Sequence, residues 1–130
     1  MKKKIGIHWF RYGLRIIDNP SLNYLSRNYD NILGVYIFDE VNSDPKLGSA
    51  SRVWLNYSLE YLKKQLNGNL IILKGNPRDC FDELIYFFDV EEISWNRCYE
   101  PWIIKRDKSL KIHLNKKIKV NSFNGSLLWE

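Results

Sequence analysis

At 130 residues the chain is the size of one domain, and folding would bury roughly two thirds of its unfolded surface, enough for a real core. Apolar residues at 45% and aromatics at 15% exclude a disordered chain. A net charge of +5 is a mild basic bias, short of the dense patch that marks a nucleic-acid footprint.

Strand-like and helix-like runs alternate. The first strand, Lys4–Trp9, runs into a charged loop that closes on Asn19-Pro20, with Asn as N-cap and Pro at the first helical position. A short helix, Pro20–Arg27, leads to a nearly continuous apolar strand, Ile32–Phe38. The polar loop Asp39–Gly48 follows, long enough to read as functional. Helix Ser49–Leu66 carries Leu55, Leu59, Leu62 and Leu66 as one apolar stripe. Strand Leu70–Leu73 and helix Pro77–Phe88 come next, the helix capped by Asn76 and opening with the acids Asp79, Asp82 and Glu83, which suit its dipole. Strand Glu92–Trp95, helix Pro101–Leu114 and strand Ile118–Phe123 complete the pattern. This alternation predicts an α/β fold: a Rossmann-like three-layer sandwich with a five-stranded parallel sheet, order 3-2-1-4-5, and helices on both faces.

No apolar run approaches the ~20 residues of a membrane span, and Met1-Lys2-Lys3-Lys4 leads into no signal-peptide apolar stretch. Cys80 and Cys98 form no Cys-x-x-Cys and stand near no paired histidines. No membrane partner and no metal are expected, a disulfide is not supported, and the chain reads as cytoplasmic. The glycine-rich cradles of ordinary dinucleotide and triphosphate sites are missing, as is the Gly-x-Ser-x-Gly elbow, and His8 and His113 sit in no recognisable triad.

Polar and aromatic groups do stand at successive strand ends. Phe10, Arg11 and Arg15 follow the first strand, and Phe38, Asp39 and Glu40 the second. Ser51 and Arg52 open the long helix, while Asn96, Arg97, Cys98, Tyr99 and Glu100 follow the fourth strand. The expected topology brings these loops to one edge, where open α/β sheets hold ligands. A cleft with aromatic walls and a few charges suits a planar, partly anionic molecule. The alternative is that Arg11, Asp18, Arg52 and Glu100 are ion pairs that pin loops. Cys98 reads equally as a small buried thiol, Cys80 as core, and Trp9, Trp54 and Trp95 as packing residues.

Four segments resemble the photolyase/cryptochrome family. Trp9-Phe10-Arg11-Tyr12-Gly13-Leu14-Arg15-Ile16-Ile17-Asp18-Asn19-Pro20-Ser21-Leu22 is similar to its Trp-Phe-Arg-x-(Asp/Gly)-Leu-Arg-x-x-Asp-Asn-Pro-x-Leu signature. Gly48-Ser49-Ala50-Ser51-Arg52-Val53-Trp54-Leu55 resembles the Gly-(Ala/Ser)-Ala-Ser-Arg-x-Trp-Leu helix start of bacterial photolyases. Trp95-Asn96-Arg97-Cys98-Tyr99-Glu100-Pro101 with Arg106-Asp107, and Ser122-Phe123-Asn124-Gly125-Ser126-Leu127-Leu128-Trp129-Glu130, match two further motifs in order. The resemblance is placed nearest the bacterial class I cyclobutane pyrimidine dimer photolyases.

The resemblance implies the N-terminal light-harvesting (antenna) domain of a deoxyribodipyrimidine photolyase, over residues 1–130. Such a domain passes excitation to FAD in a helical domain, in cis or in trans, which lies outside this chain and binds damaged DNA. The segment alone is not expected to be catalytic, and no catalytic residue is assigned to it. Phe10, Arg11, Phe38, Asp39, Arg52, Asn96, Arg97 and Cys98 are the residues expected to line the chromophore pocket. A deazaflavin or flavin is favoured over a reduced folate, because Trp102 and Ile103 stand where folate-binding relatives carry Asn-Glu. Cys98 departs from the acid common in the deazaflavin pattern. The rival readings are a cryptochrome-type blue-light sensor domain and a stand-alone flavin- or nucleotide-binding module.

Overall fold

The computed structural model describes residues 4–11, 14, 16, 19–38, 49–98 and 101–123, without the side chains of 49–54. The elements in chain order are β1 (Ile5–Phe10), α1 (Pro20–Asn28), β2 (Asn31–Phe38), α2 (Ser49–Gln65), β3 (Leu70–Lys74), α3 (Pro77–Phe87), β4 (Val90–Asn96), α4 (Pro101–Asn115) and β5 (Lys119–Phe123). The strands form one parallel sheet in the expected order, β3-β2-β1-β4-β5. Loop Asp39–Gly48, Tyr12-Gly13 and the tail Leu127-Leu128-Trp129 lie outside the described residues.

Helix starts follow the local chemistry. The Asn19 side chain accepts from the Leu22 amide at 3.0 Å and Asn76 from the Arg78 amide at 2.9 Å, and a proline follows each cap. The fourth strand is longer than its pattern indicates. Val90 pairs with Ile5, and Glu91 at its exposed start holds Lys4 at 3.3 Å. Pairing with a central strand thus overrides the weak strand preference of two consecutive glutamates.

Right-handed crossovers decide which helix covers which face. Stepping outward from β1 to β3 leaves α1 and α2 on one side, and the return through β4 to β5 leaves α3 and α4 on the other. Ile7, Trp9, Ile93, Trp95 and Val120 meet Phe81, Leu84, Leu110 and Leu114 in the larger core, where Trp9 packs edge-on against Phe81 and Trp95 at 5.2 and 5.4 Å. Phe10, Leu22, Leu59, Leu62 and Leu70 form the smaller core on the α2 side. Cys80 is buried in the larger core, as expected of it.

Gly34 in β2 shows how tightly the smaller core closes. A Cβ there would stand 2.8 Å from Phe10 Cε2, 3.0 Å from Leu66 Cδ1 and 3.2 Å from Leu70 Cδ1. Gly34→Ala is therefore expected to cost about 1–3 kcal/mol through overpacking, read as a lower urea midpoint with unchanged slope.

Candidate functional site

β1 and β4 are neighbours whose connections leave in opposite directions, so the carboxyl ends of these strands form the switch point of the sheet. One buried polar network ties it together. Asn19 Oδ1 accepts from the Leu22 amide and from Asn96 Nδ2 at 2.8 Å, and Asn96 Oδ1 accepts from the Ser21 amide at 3.1 Å. With its oxygen so occupied, Asn19 donates through Nδ2 to His8 Nε2, 3.2 Å away. His8 then carries its proton on Nδ1 and donates to Ser21 Oγ at 2.8 Å, and Ser21 Oγ meets Ser94 Oγ at 2.6 Å. Burial, reinforced by the Arg11 charge, lowers the His8 pKa to about 3.

Six of the eight expected site residues are described with their side chains; they fall near this carboxyl edge, but the plane of the sheet divides them. Phe10 and Phe38 lie on the α1/α2 side with the smaller core; Phe10 is buried, and half-buried Phe38 stacks edge-on with Tyr36 at 5.1 Å. Asn96 is on the same side, bonded to Asn19 and Ser21. Arg11 goes to the other side: Nη2 lies 2.7 Å from Asp107 Oδ2 of α4, and the guanidinium sits 4.7 Å over the Trp9 ring. Arg97, exposed, reaches β5, donating from Nε to Ser122 Oγ at 3.1 Å. Cys98 is half-buried. Asp39 lies outside the described residues, and Arg52 occupies the first turn of α2, its side chain not described. Half-buried Leu14, Ile16 and Leu55 join Tyr36 and Phe38 against the smaller core, an apolar and aromatic rim on the α1/α2 side.

Further down the α1 face, toward the amino ends of the strands, stands a second polar group with no signature motif of its own. Fully buried Glu92 accepts from the hydroxyls of Tyr24 at 3.0 Å and Tyr29 at 2.8 Å, and Asn121 Nδ2 bonds its second oxygen. Burial first, and then the carboxylate itself, push the ionisation of both tyrosines up. The signal was present as the alternation Glu92, Ser94, Asn96 between apolar Ile93 and Trp95, which marks one face of a central strand as polar. Among the described residues no helix is long and apolar enough to cross a membrane, and no cluster of His, Cys, Asp and Glu could hold a metal ion.

The fold and this edge define a doubly wound α/β domain of the kind that holds ligands at its switch point. Residues 6–130 match the DNA photolyase family model, and the chain belongs to that family, as its N-terminal domain. It is 34% identical over 128 residues to the deoxyribodipyrimidine photo-lyase of Agrobacterium fabrum, which covers 95% of this chain and 26% of that protein. It is 32% identical to cryptochrome-1 of Erithacus rubecula over 82% of this chain and 18% of that protein. The class III photolyase structure from Agrobacterium tumefaciens superposes with a TM-score of 0.85 at 31% identity, covering 95% of this chain and 26% of that one. The expected nearness to class I enzymes is corrected by these relatives, which include a class III photolyase. An archaeal photolyase from Sulfolobus tokodaii shares the fold, with a TM-score of 0.79 at 23% identity over 92% of this chain and 29% of that one. The chain thus spans about a quarter of the length of its photolyase relatives.

Two outcomes test the geometry. The His8 pKa of about 3 lies below its unfolded value of 6.5, so the unfolded chain takes up the proton first. Stability is whole above pH ~6.5 and falls by about 1.4 kcal/mol per pH unit below it, levelling near pH 3. Urea unfolding at pH 7.5 and 5.5 should show this loss in the wild type and about 1 kcal/mol less of it in His8→Gln; equal losses would reject the assignment. Asp107→Ala should cost about 3 kcal/mol, because it strands the Arg11 guanidinium, 7% exposed, beside Trp9.

Proposed function

We propose that this chain is the light-harvesting domain of a deoxyribodipyrimidine photolyase, holding a planar chromophore at the carboxyl edge on the α1/α2 side. The observation that carries this reading is the half-buried Tyr36–Phe38 ring pair beside Leu14, Ile16 and Leu55, an apolar rim at the carboxyl end of β2, one strand from the switch point. Flat aromatic surfaces stack on such a rim, and the Asn19–Asn96 pair keeps the β1 and β4 ends at a set separation. Of the other expected lining groups, buried Phe10 underlies the rim, Asp39 and Arg52 are proposed as further contacts from their place in the chain after β2, and Arg97, bonded to Ser122 on the opposite side of the sheet, is not among them. Arg11 acts through Asp107, anchoring the loop that follows β1.

A bound chromophore supplies absorption in the near-ultraviolet or blue and passes its excitation to FAD in a helical domain, in cis or in trans, that engages damaged DNA. The archaeal photolyase of the same fold contains two FAD molecules and implies a light-harvesting cofactor in that protein. A deazaflavin or flavin fits better than a reduced folate, because Ile103, where folate-binding relatives carry a polar residue, is buried in the α4 packing. The second reading, a cryptochrome-type sensor domain, is favoured by the 32% identity to cryptochrome-1 and uses the same pocket.

The test is titration of the purified chain with FMN, 8-hydroxy-5-deazaflavin and methenyltetrahydrofolate, followed by visible absorption and fluorescence anisotropy. Binding of FMN or the deazaflavin is expected, weakened about tenfold or more in Phe38→Ala, the loss of one stacking surface. Failure of all three to bind overturns the reading, and binding of the folate alone overturns the choice of chromophore.

A further inference from the structure

The helices on the face away from this rim segregate charge. Between Pro101 and Lys119 stand seven of the chain's twenty basic residues and only one of its fifteen acids, Asp107, which is turned inward onto Arg11. On α4 the residues Ile104, Lys108 and Ile112, continued by Lys116 in the following turn, stand four apart and so form one ridge, with Lys105 beside it. This ridge lies opposite the buried Ile103, Leu110 and Leu114, and Ile112 is 60% exposed.

α3 has the opposite character. Asp79 and Glu83 are exposed beside a single exposed cation, Arg78, and the rings of Tyr86 and Phe87 touch edge-on while remaining 83% and 69% exposed. Asp82, bonded to His113 at 2.9 Å and Lys117 at 3.0 Å, joins the two helices side by side.

We infer that the α3–α4 layer is a self-association surface whose occupant is a second copy of this chain. A two-fold axis lying between the helices and along them sets the acidic, aromatic α3 of each copy on the basic, aliphatic α4 of the other. Asp82 is level with the last turn of α4 in each copy, so Asp79 then stands near Lys108 of the other copy, and Glu83 and Tyr86 stand near Ile112 and Lys116. A polyanion bound to the lysines alone would leave the α3 rings and acids uncovered. The layer is two helices wide and about three turns long, less than the ~800 Å² per partner of a standard interface, so the dimer is weak and salt-sensitive. This inference is independent of the chromophore pocket, and its failure leaves that reading untouched.

Sedimentation equilibrium of the full chain from about 10 to about 500 µM should show the average mass rising toward twice the monomer at low salt and falling back at high salt. Lys108→Glu/Lys116→Glu and Asp79→Lys/Glu83→Lys should each lower self-association tenfold or more, and an equimolar mixture of the two should recover the dimer, which also shows that both variants fold. A wild type that stays monomeric overturns the inference, as does a mixture that fails to recover. A monomer whose α4 lysines instead bind duplex DNA or phosphatidylglycerol vesicles assigns the surface to a polyanion and overturns it equally.

Discussion

The structure turns on the Asn19 side chain. It caps α1, accepts from Asn96 at the end of β4, and donates to His8 in the middle of β1. Each of these groups is buried or half-buried, so each would carry a desolvation penalty of about 1–3 kcal/mol if left unpaired. The penalty operates in common: moving α1 off the sheet breaks bonds to two strands at once. The point where the sheet reverses its winding is therefore also where its ends are most firmly joined, which is what a rim needs if it is to present a fixed shape to a ligand.

The two faces are stabilised by different means. Under α3 and α4 the contacts are apolar, with Trp9, Trp95, Phe81 and Ile93 almost wholly buried and each contributing on the order of 2–3 kcal/mol. Under α1 the sheet presents His8, Glu92, Ser94 and Asn121, and the helix answers with Ser21 and Tyr24 together with apolar Leu22 and Leu25. Hydrogen bonds have a directional demand that apolar contacts lack. The apolar face sets how firmly the domain holds together, and the polar seam sets where α1, and with it the mouth of the rim, must sit.

This division explains the fate of the arginines. Arg11 leaves β1 one position beyond Phe10, and alternation sends it to the side of Trp9 and α4, where Asp107 meets it. Arg97 is drawn to Ser122 on the edge strand. Both stand at the expected end of the sheet, yet on the far side from Phe10, Phe38 and Asn96. Charge and aromatic surface that share an edge in a linear reading are separated by the thickness of one sheet.

Signals that act within a few residues were legible from the chain alone. The Asn-Pro starts of α1 and α3, the leucine stripe of α2 and the apolar runs of β2 and β3 follow from spacing and local preference, the strand order was expected with the resemblance behind it, and the element ends differ by at most two residues. The four motifs carried the family. Long-range pairing is a different matter. Glu92 marked only the start of a short strand in the sequence, and it is buried because Tyr24 and Tyr29, 68 and 63 residues away in the chain, fold over it with their hydroxyls inward. Arg11 could be read as a pocket cation or as half of an ion pair, and only the packing of α4, which places Asp107 against it, decided for the ion pair. A charge is valued by what neutralises it, and those neighbours come into being when distant segments pack.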